Sequence, residues 1–218
     1  MIYKMLNILK KKLNYTIDED WIAIEEAFHN ADFNLVVWRR GINPNIVRLI
    51  KFLYTTNFRK LQQKINIGTI EEDLTFTLKS NLPTSPFISY EDLKDDLCLL
   101  CYHFLQLTGK ENVDMHLRIV TDNACSKFHV DGYESRLLCT YDGAGTQWLS
   151  DDNVRRHFLG KTNSDIVKNE SKIMQMQPFE VGLLKGENFK NPSNKGIVHR
   201  SPPIESSGGK RFVIRLDA

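Results

Sequence analysis

Two histidines and one aspartate are the residues of this 218-residue chain whose types and spacing could carry out chemistry. His129 and Asp131 form a His-x-Asp pair next to Gly132, and His199 lies far downstream between β-rich segments. Residues two positions apart in an extended strand project from the same side, so His129 and Asp131 can reach one ion. Two neutral imidazoles and one carboxylate form the facial triad that holds Fe(II) and leaves coordination positions open. The pattern therefore predicts that His129, Asp131 and His199 are both the metal ligands and the catalytic centre.

Basic residues near the end of the chain extend this prediction to a co-substrate. Arg211 begins the last predicted strand, and Arg215 lies on the same face four residues later. A guanidinium group there could hold the distal carboxylate of a 2-oxo acid through two parallel hydrogen bonds. We predict Arg211 and Arg215 as co-substrate-binding residues, with Arg118 and Arg136 as reserve candidates. The alternative is that these arginines lie in solvent while the intervening apolar residues of the strand are buried.

Several other side chains are weaker candidates for the same site. Cys125 or Cys139 could supply a fourth ligand, because two histidines, a carboxylate and a thiolate also form a closed tetrahedral zinc site. Core packing is the favoured interpretation of both thiols. His116 could support the site from outside the ligand set, although a packing role is favoured. Tyr141 and Trp148 could line a pocket or belong to an ordinary aromatic core.

Composition and charge narrow the range of partners. Lys and Arg number 29 against 27 Asp and Glu, and the two signs are interspersed, which argues against a nucleic-acid partner. Four cysteines form neither a dense disulfide framework nor paired zinc knuckles, so reduced thiols are expected. Residues 1–12 are too short to cross a bilayer and lack a small-residue cleavage site. These features predict a cytoplasmic protein, and a membrane-surface role for residues 1–12 is a weaker alternative. The sequence does not identify the substrate, which is expected to be a small molecule or a protein.

Helical periods dominate the N-terminal part of the chain, residues 1–110. A capping pattern that begins at Thr16 predicts a first helix through about His29. Residues 34–39 are short and rich in β-branched side chains, which favours a strand.

A second and a third helix are expected before residue 110. Asn43 precedes a proline and can open a helix that the apolar spacing extends to about Lys64. In the proline-containing connector that follows, residues 74–78 alternate like a strand. The third helix runs to about Leu107, where Gly109 supplies a stop signal.

From Val113 onward the hydrophobic period changes to two, which is typical of strands. Short β-rich runs lie at residues 113–120, 136–141, 173–176, 180–184, 196–200 and 211–216. Residues 148–160 interrupt them and could form one short helix over a barrel mouth. The chain is therefore predicted to be α+β. A C-terminal double-stranded β-helix (jelly-roll) at residues 111–218 would bind the metal, packed with a mainly helical N-terminal region at residues 1–110.

Five sequence blocks resemble the DUF1826 family of uncharacterised bacterial proteins. They are NLVVWRR (34–40), CSKFHVD (125–131), RLLCTYDGAGTQW (136–148), LKGE (184–187) and VHRSPP (198–203). The resemblance implies no activity, although the family is loosely associated with genes for metal homeostasis. That association favours an alternative function, a non-catalytic zinc-binding or metal-homeostasis protein that uses the same three ligands.

The chain is more distantly similar to the double-stranded β-helix of Fe(II)/2-oxoglutarate-dependent dioxygenases. In that superfamily the residues that match His129, Asp131 and His199 bind iron. A C-terminal basic residue, here most naturally Arg211, holds the 2-oxoglutarate carboxylate. The resemblance implies an oxidoreductase that uses Fe(II) and 2-oxoglutarate to hydroxylate or demethylate an unknown substrate.

Overall fold

A computed structural model describes residues 13–123, 125–190 and 195–218 of the chain. The membrane-surface role considered for residues 1–12 lies outside these ranges. In chain order, the strands of the described residues are β1 (Tyr15–Asp18), β2 (Leu35–Trp38), β3 (Lys60–Asn66), β4 (Asn112–Val120), β5 (Ser135–Asp142), β6 (Gln147–Leu149), β7 (Met174–Gln175), β8 (Val181–Lys185), β9 (Val198–Arg200) and β10 (Arg211–Asp217). The α-helices are α1 (Trp21–His29), α2 (Pro44–Leu53), α3 (Ile70–Asn81), α4 (Glu91–Thr108) and α5 (Asn163–Ile166).

The strands form two sheets in the described part of the chain. The large sheet has the order β1-β2-β8-β5-β10-β4-β3, and its neighbouring pairs are antiparallel except for the parallel pair β1 and β2. The small sheet has the order β7-β6-β9 and is antiparallel. Of the described helices, none combines the length and the apolar character that crossing a bilayer requires.

Alternation along the strands of the large sheet gives it two different faces. One face packs against α1 to α4 in the main hydrophobic core, and on β10 it carries Phe212, Ile214 and Leu216. The opposite face carries Arg211 and Arg215 on the same strand, and it borders a cavity. The helices therefore support the sheet from one side and leave its other side for the candidate site.

The third helix predicted from the sequence is confirmed as α4. Leu93, Leu97, Leu100 and Phe104 are all buried and recur at helical spacing. Gly109 caps the helix with a φ of +62°, a left-handed conformation that glycine adopts without the steric cost of a Cβ atom.

The prediction that the second helix reaches Lys64 is wrong beyond Leu53. α2 ends at Leu53, and the chain then joins the large sheet as β3. Leu61 and Ile65 are both buried, and residues four apart share a face in a helix as well as in a strand. The apolar spacing therefore did not distinguish the two structures.

The strand considered for residues 74–78 is also wrong, because this segment lies inside α3. Leu74 and Thr77 are buried on one face, and their spacing of three positions fits a helix. At the start of α1, the capping residue is Asp20, whose side chain accepts a hydrogen bond from the helix, and Thr16 lies in β1. The helix expected within residues 148–160 is replaced by two short 3-10 helices.

The fold is mixed α/β with a large antiparallel sheet. The placement of the whole barrel in the C-terminal half is not confirmed, because β1, β2 and β3 precede residue 110 and belong to the same sheet as β4. The division into regions 1–110 and 111–218 stays a prediction. Pairing between distant parts of the chain places β1, β2 and β3 in this sheet. Short strands between helices give a weak signal in the sequence, so the pattern did not predict this arrangement.

Candidate metal and co-substrate site

A cavity of about 430 Å³ lies on the face of the large sheet that is opposite the helices. Residues of β3, β4, β5 and β10 line one side of it. Cys125, His129, His199 and Ser201 also line it. The cavity therefore brings two of the three predicted metal ligands, His129 and His199, and the predicted arginines to one space.

Backbone pairing places His129 and His199 opposite each other. The two residues form an isolated antiparallel bridge, in which each backbone N–H donates to the other residue's carbonyl, at 3.0 and 2.9 Å. The centroids of the two imidazole rings are 4.6 Å apart. The extended strand predicted for His129 is thus reduced to a single bridge, which still aligns the two side chains.

The three predicted ligands converge at the end of this bridge. One candidate ligand atom from each of His129, Asp131 and His199 lies within 4.8 Å of the other two. His129 Nε2 is 3.6 Å from Asp131 Oδ1, and His199 Nε2 is 3.3 Å from Asp131 Oδ2. These distances allow the three side chains to share one small cation.

Backbone carbonyls fix the tautomer of both imidazoles. His129 Nδ1 lies 2.8 Å from the carbonyl oxygen of Lys127, and His199 Nδ1 lies 3.2 Å from that of Ile197. Because a carbonyl oxygen only accepts, both Nδ1 atoms carry a proton and donate it. Each Nε2 atom is then free to bind a cation, as in metal-binding histidines oriented by backbone carbonyls.

Arg136 holds the Asp131 carboxylate in place. Its Nη1 atom donates to Asp131 Oδ1 at 2.6 Å, and its Nε atom donates to Asp217 Oδ1 at 2.5 Å. Burial alone would raise the pKa of Asp131, but the two histidines and Arg136 lower it well below its usual range. Interaction with this carboxylate in turn raises the pKa of His129. Asp131 is therefore ionised at neutral pH and offers a charged ligand.

The donor set fits a divalent metal ion. Asp131 Oδ2 is buried and has no hydrogen-bond partner among the described residues, and leaving a buried acceptor unpaired is costly. When both imidazoles are neutral, their Nε2 lone pairs face carboxylate oxygens, so acceptors face acceptors. A proton or a cation must lie between them. Two imidazole nitrogens and a carboxylate are ligands that suit Fe(II) and also Zn(II).

Arg211 is a buried cation that lines the same cavity, with only 2% of its surface exposed. Its Nε atom donates to the carbonyl of Ala144 at 2.5 Å, and its Nη2 atom lies 3.1 and 3.5 Å from the hydroxyl oxygens of Thr140 and Thr146. No carboxylate of the described residues pairs with it. Burial, together with the charge of Arg118, lowers the pKa of Arg211 to about 10. A bound anion would supply the counter-charge that this guanidinium lacks.

The other predicted basic residues have different surroundings. Arg215 lines the cavity, but its Nε atom lies 2.9 Å from Asp217 Oδ2, so its charge is already balanced. Arg118 lines the cavity from β4 and is exposed. His116 Nε2 is 3.8 Å from Asp217 Oδ2, and burial and the charge of Arg215 lower the pKa of His116. His116 also lines the cavity, and its contact with Asp217 connects it to Arg136 and so to Asp131.

The weaker candidates divide between the two faces of the sheet. Cys139 and Tyr141 belong to the helix-packed core, so neither reaches the cavity. Cys125 lines the cavity, but it is not part of the converging ligand set. Trp148 is buried and is the strand partner of His199. The structure thus leaves Cys125 as the cysteine nearest to the predicted role of a fourth ligand.

Sequence reasoning missed Asp217 and the threonine hydroxyls that hold Arg211. Asp217 continues the alternation of Arg211 and Arg215 along β10, so its presence on the cavity face was available from the pattern. The contact of Thr140 with Arg211 depends on the pairing of β5 with β10, which separate stretches of sequence do not reveal.

We expect Gly186→Ala to destabilise the protein and to weaken its metal binding. A Cβ atom at residue 186 would lie 1.9 Å from the Tyr133 carbonyl oxygen and 2.7 Å from the Asp131 carbonyl oxygen. The backbone of residues 131–133 must move to relieve this overlap, and the Asp131 carboxylate moves with it. The free energy of unfolding should fall by about 1–3 kcal/mol, the usual cost of overpacking. Urea denaturation and anaerobic Fe(II) titration measure the two effects.

Gly132→Ala is the matched control, because a Cβ atom at residue 132 meets no atom within 4 Å. We expect this variant to keep most of its stability and Fe(II) affinity. Equal losses of stability and of Fe(II) affinity in the two variants would show that the close packing at Gly186 does not cause them.

Comparison with protein families gives a match over most of the chain. Residues 20–217 match the family described as protein of unknown function (DUF1826). The chain belongs to the DUF1826 family. This confirms the resemblance predicted from the five sequence blocks. A search of curated proteins finds no match to this DUF1826 member.

Solved structures add a likeness in fold. The DUF1826 chain is similar to AtDAO1, the dioxygenase for auxin oxidation 1 from Arabidopsis thaliana, solved as a binary complex with 2-oxoglutarate. The TM-score is 0.50 at 8% identity, and the match covers 94% of this chain and 91% of that chain. Another similar structure is a C-terminally truncated protein from Neurospora crassa in apo form, with a TM-score of 0.48, 13% identity, and coverage of 90% and 85%. At such low identity the likeness to AtDAO1 shows the fold alone, and it confirms the predicted distant similarity.

Proposed function

We propose that this protein is an Fe(II)/2-oxoglutarate-dependent dioxygenase that hydroxylates or demethylates its substrate. One observation carries the proposal: the cavity that His129 and His199 of the converging three-residue set line is also lined by the buried and unbalanced Arg211. An oxygenase of this class needs both parts, a three-ligand metal site with open positions and a cation for its co-substrate. The likeness in fold to a dioxygenase solved with 2-oxoglutarate supports the proposal.

His129, Asp131 and His199 are the residues that would hold the metal. Hydrogen bonds from both Nδ1 atoms to backbone carbonyls orient the imidazoles, so little rearrangement is needed before the Nε2 atoms bind. Arg136 is a positioning residue, since it contacts Asp131 and is itself held by Asp217. A metal ion would replace the protons that otherwise separate these groups, so we expect metal binding to release protons.

Arg211 would bind the distal carboxylate of 2-oxoglutarate. A guanidinium group can form two parallel hydrogen bonds with a carboxylate, and such charge-assisted bonds are strong in a buried site. The carbonyl of Ala144 and the hydroxyls of Thr140 and Thr146 fix the guanidinium before any ligand arrives. Arg215 is a poorer candidate for this role because Asp217 already neutralises it.

When bound, Fe(II) and 2-oxoglutarate supply the oxidising chemistry with dioxygen, and the protein supplies binding, orientation and exclusion of water. Val120, Leu138 and Val213 give the cavity an apolar wall. This wall limits the water that can approach a reacting group, which strengthens the electrostatic contacts made by the arginines.

The proposal is tested by calorimetric titration of 2-oxoglutarate into the protein with and without Fe(II), in the absence of oxygen. We expect clear binding to the Fe(II)-loaded protein and at least about tenfold weaker binding to the metal-free protein, because a metal at this site would supply part of the co-substrate site. Binding that does not depend on the metal, or no binding at all, would contradict the proposed function.

A closed zinc site is the competing function, and it depends on Cys125 as a fourth ligand. If the site is closed, Cys125→Ser should weaken Zn(II) binding strongly, and 2-oxoglutarate should not bind. If the site is open, Cys125→Ser should leave metal affinity unchanged. Cys98→Ser is the control, because Cys98 packs against the helical core.

A further inference from the structure

The cavity beside the candidate metal site has an unbalanced positive charge. It is lined by Lys60, Arg118, Arg136, Arg211 and Arg215, and no Asp or Glu of the described residues appears in its lining. Arg136 and Arg215 pair with the buried carboxylates of Asp131 and Asp217. The residues outside the described ranges contain no Asp or Glu that could balance the rest.

Lys60 and Arg118 are directly opposite each other on neighbouring antiparallel strands. They are register partners of β3 and β4, and both line the cavity. Like charges in this arrangement destabilise a sheet unless another group compensates them. Neither residue forms an ion pair with a carboxylate in the described part of the chain. The sheet therefore presents two exposed, adjacent cations that a bound anion would compensate.

The same pair lies close to the proposed co-substrate anchor. Arg118 is the register partner of Val213, which lies two residues after Arg211 on the cavity face of β10. The charge of Arg118 contributes to the lowered pKa of Arg211, so the two guanidinium groups interact. Because one distal carboxylate satisfies Arg211, the Lys60 and Arg118 charges stay uncompensated after the co-substrate has bound.

We propose that the substrate of this site is an organic anion whose carboxylate or phosphate group is held by Arg118 and Lys60. Its apolar part contacts Val120, Leu138 and Val213, which line the same cavity. This inference rests on the proposed function, since it assigns Arg211 to 2-oxoglutarate and leaves the other two cations for the substrate. A guanidinium and an ammonium group both bind carboxylates and phosphates, so the chemistry of the ligand is an anionic head on an apolar body.

The test uses three small probes of similar size on the protein loaded with Zn(II), which does not turn over, and saturated with 2-oxoglutarate. Benzoate and phenyl phosphate carry the two kinds of anion, and benzyl alcohol is the neutral counterpart. Calorimetry should give at least about tenfold tighter binding for one or both anions than for the alcohol, because a charge-assisted hydrogen bond contributes about 1.5–3 kcal/mol. The preferred anion identifies the head group.

Arg118→Gln and Lys60→Gln should each weaken binding of the preferred anion by roughly tenfold or more. Their affinity for 2-oxoglutarate should fall much less than that of Arg211→Gln, because Arg211 is the proposed co-substrate anchor. Lys51→Gln is the matched control, since Lys51 pairs with Asp142 and does not line the cavity. Equal affinity for all three probes, or unchanged anion binding in both cavity variants, would overturn the inference. Lys60 would then be an edge-strand charge and Arg118 an exposed charge on the neighbouring strand.

The same variants separate this inference from the proposed function. If Arg118→Gln loses 2-oxoglutarate while Arg211→Gln keeps it, Arg118 is the co-substrate anchor, and the substrate inference is wrong while the oxygenase proposal stands. If the natural protein binds the anions through Arg118 but does not bind 2-oxoglutarate, the oxygenase proposal is wrong and the anion site stands.

Discussion

Replacement of His199 with alanine is expected to reduce Fe(II) affinity by more than about 100-fold. Substitution of groups that only support metal ligands usually costs 10- to 100-fold, and His199 would be a ligand itself. Its Nε2 atom faces Asp131 Oδ2, so its loss leaves the metal with one imidazole and one carboxylate. Anaerobic Fe(II) titration, followed by calorimetry or by competition with a chelator, measures the effect.

A fold defect must be separated from the loss of a ligand, because His199 is buried and its backbone pairs with His129. Circular dichroism and the urea midpoint of the metal-free variant report on folding. His157→Ala is the matched control, since His157 is exposed and lies outside the cavity lining. Full Fe(II) affinity in a folded His199→Ala variant would remove this residue from the site.

Arg211→Met is expected to weaken 2-oxoglutarate binding on the order of 100-fold, since truncation of a buried charged partner costs about 2–5 kcal/mol. Fe(II) affinity should stay unchanged, because Arg211 is not among the converging ligands. Arg211→Lys should give an intermediate loss, because an ammonium group keeps the charge but not the planar fork. Titration of 2-oxoglutarate into the Fe(II)-loaded variants measures both results.

Arg215→Met is the control for position and charge on the same strand face. Arg215 pairs with Asp217, so its removal should change 2-oxoglutarate affinity much less than removal of Arg211. The reverse order of effects would move the co-substrate anchor four residues along β10. Equal effects would indicate that the charge of the cavity, and not a specific contact, retains the co-substrate.

The sequence alone predicts those residues of the candidate site whose side-chain types and spacing suit metal binding. His129, Asp131 and His199 have residue types and spacing that suit a metal, and their convergence follows from one backbone bridge. The alternation of β5 also places Cys139 and Tyr141 on one face and Arg136 on the other. The sequence pattern was therefore sufficient to separate the core residues from the cavity residues of this strand.

The contacts that hold the site depend on strand pairing, which the sequence does not specify. Arg136 reaches Asp217 because β5 lies beside β10, although the two residues are 81 positions apart. The apolar spacing predicted a helix at Lys60, so the position of Lys60 opposite Arg118 in the sheet could not be predicted. The first failure arises because periodicity does not identify the neighbours of an element, and the second because an apolar spacing of four fits a helix as well as a strand.

In the function that we propose, one cavity binds Fe(II) and 2-oxoglutarate together. Addition of 2-oxoglutarate to the Fe(II)-loaded protein without oxygen should produce a visible charge-transfer band, because the co-substrate would bind the metal directly. The band should be absent in His199→Ala and should need far more 2-oxoglutarate in Arg211→Met. If the natural protein binds Fe(II) but forms no band at saturating 2-oxoglutarate, the co-substrate does not bind the metal, and the protein is not an oxygenase of this class.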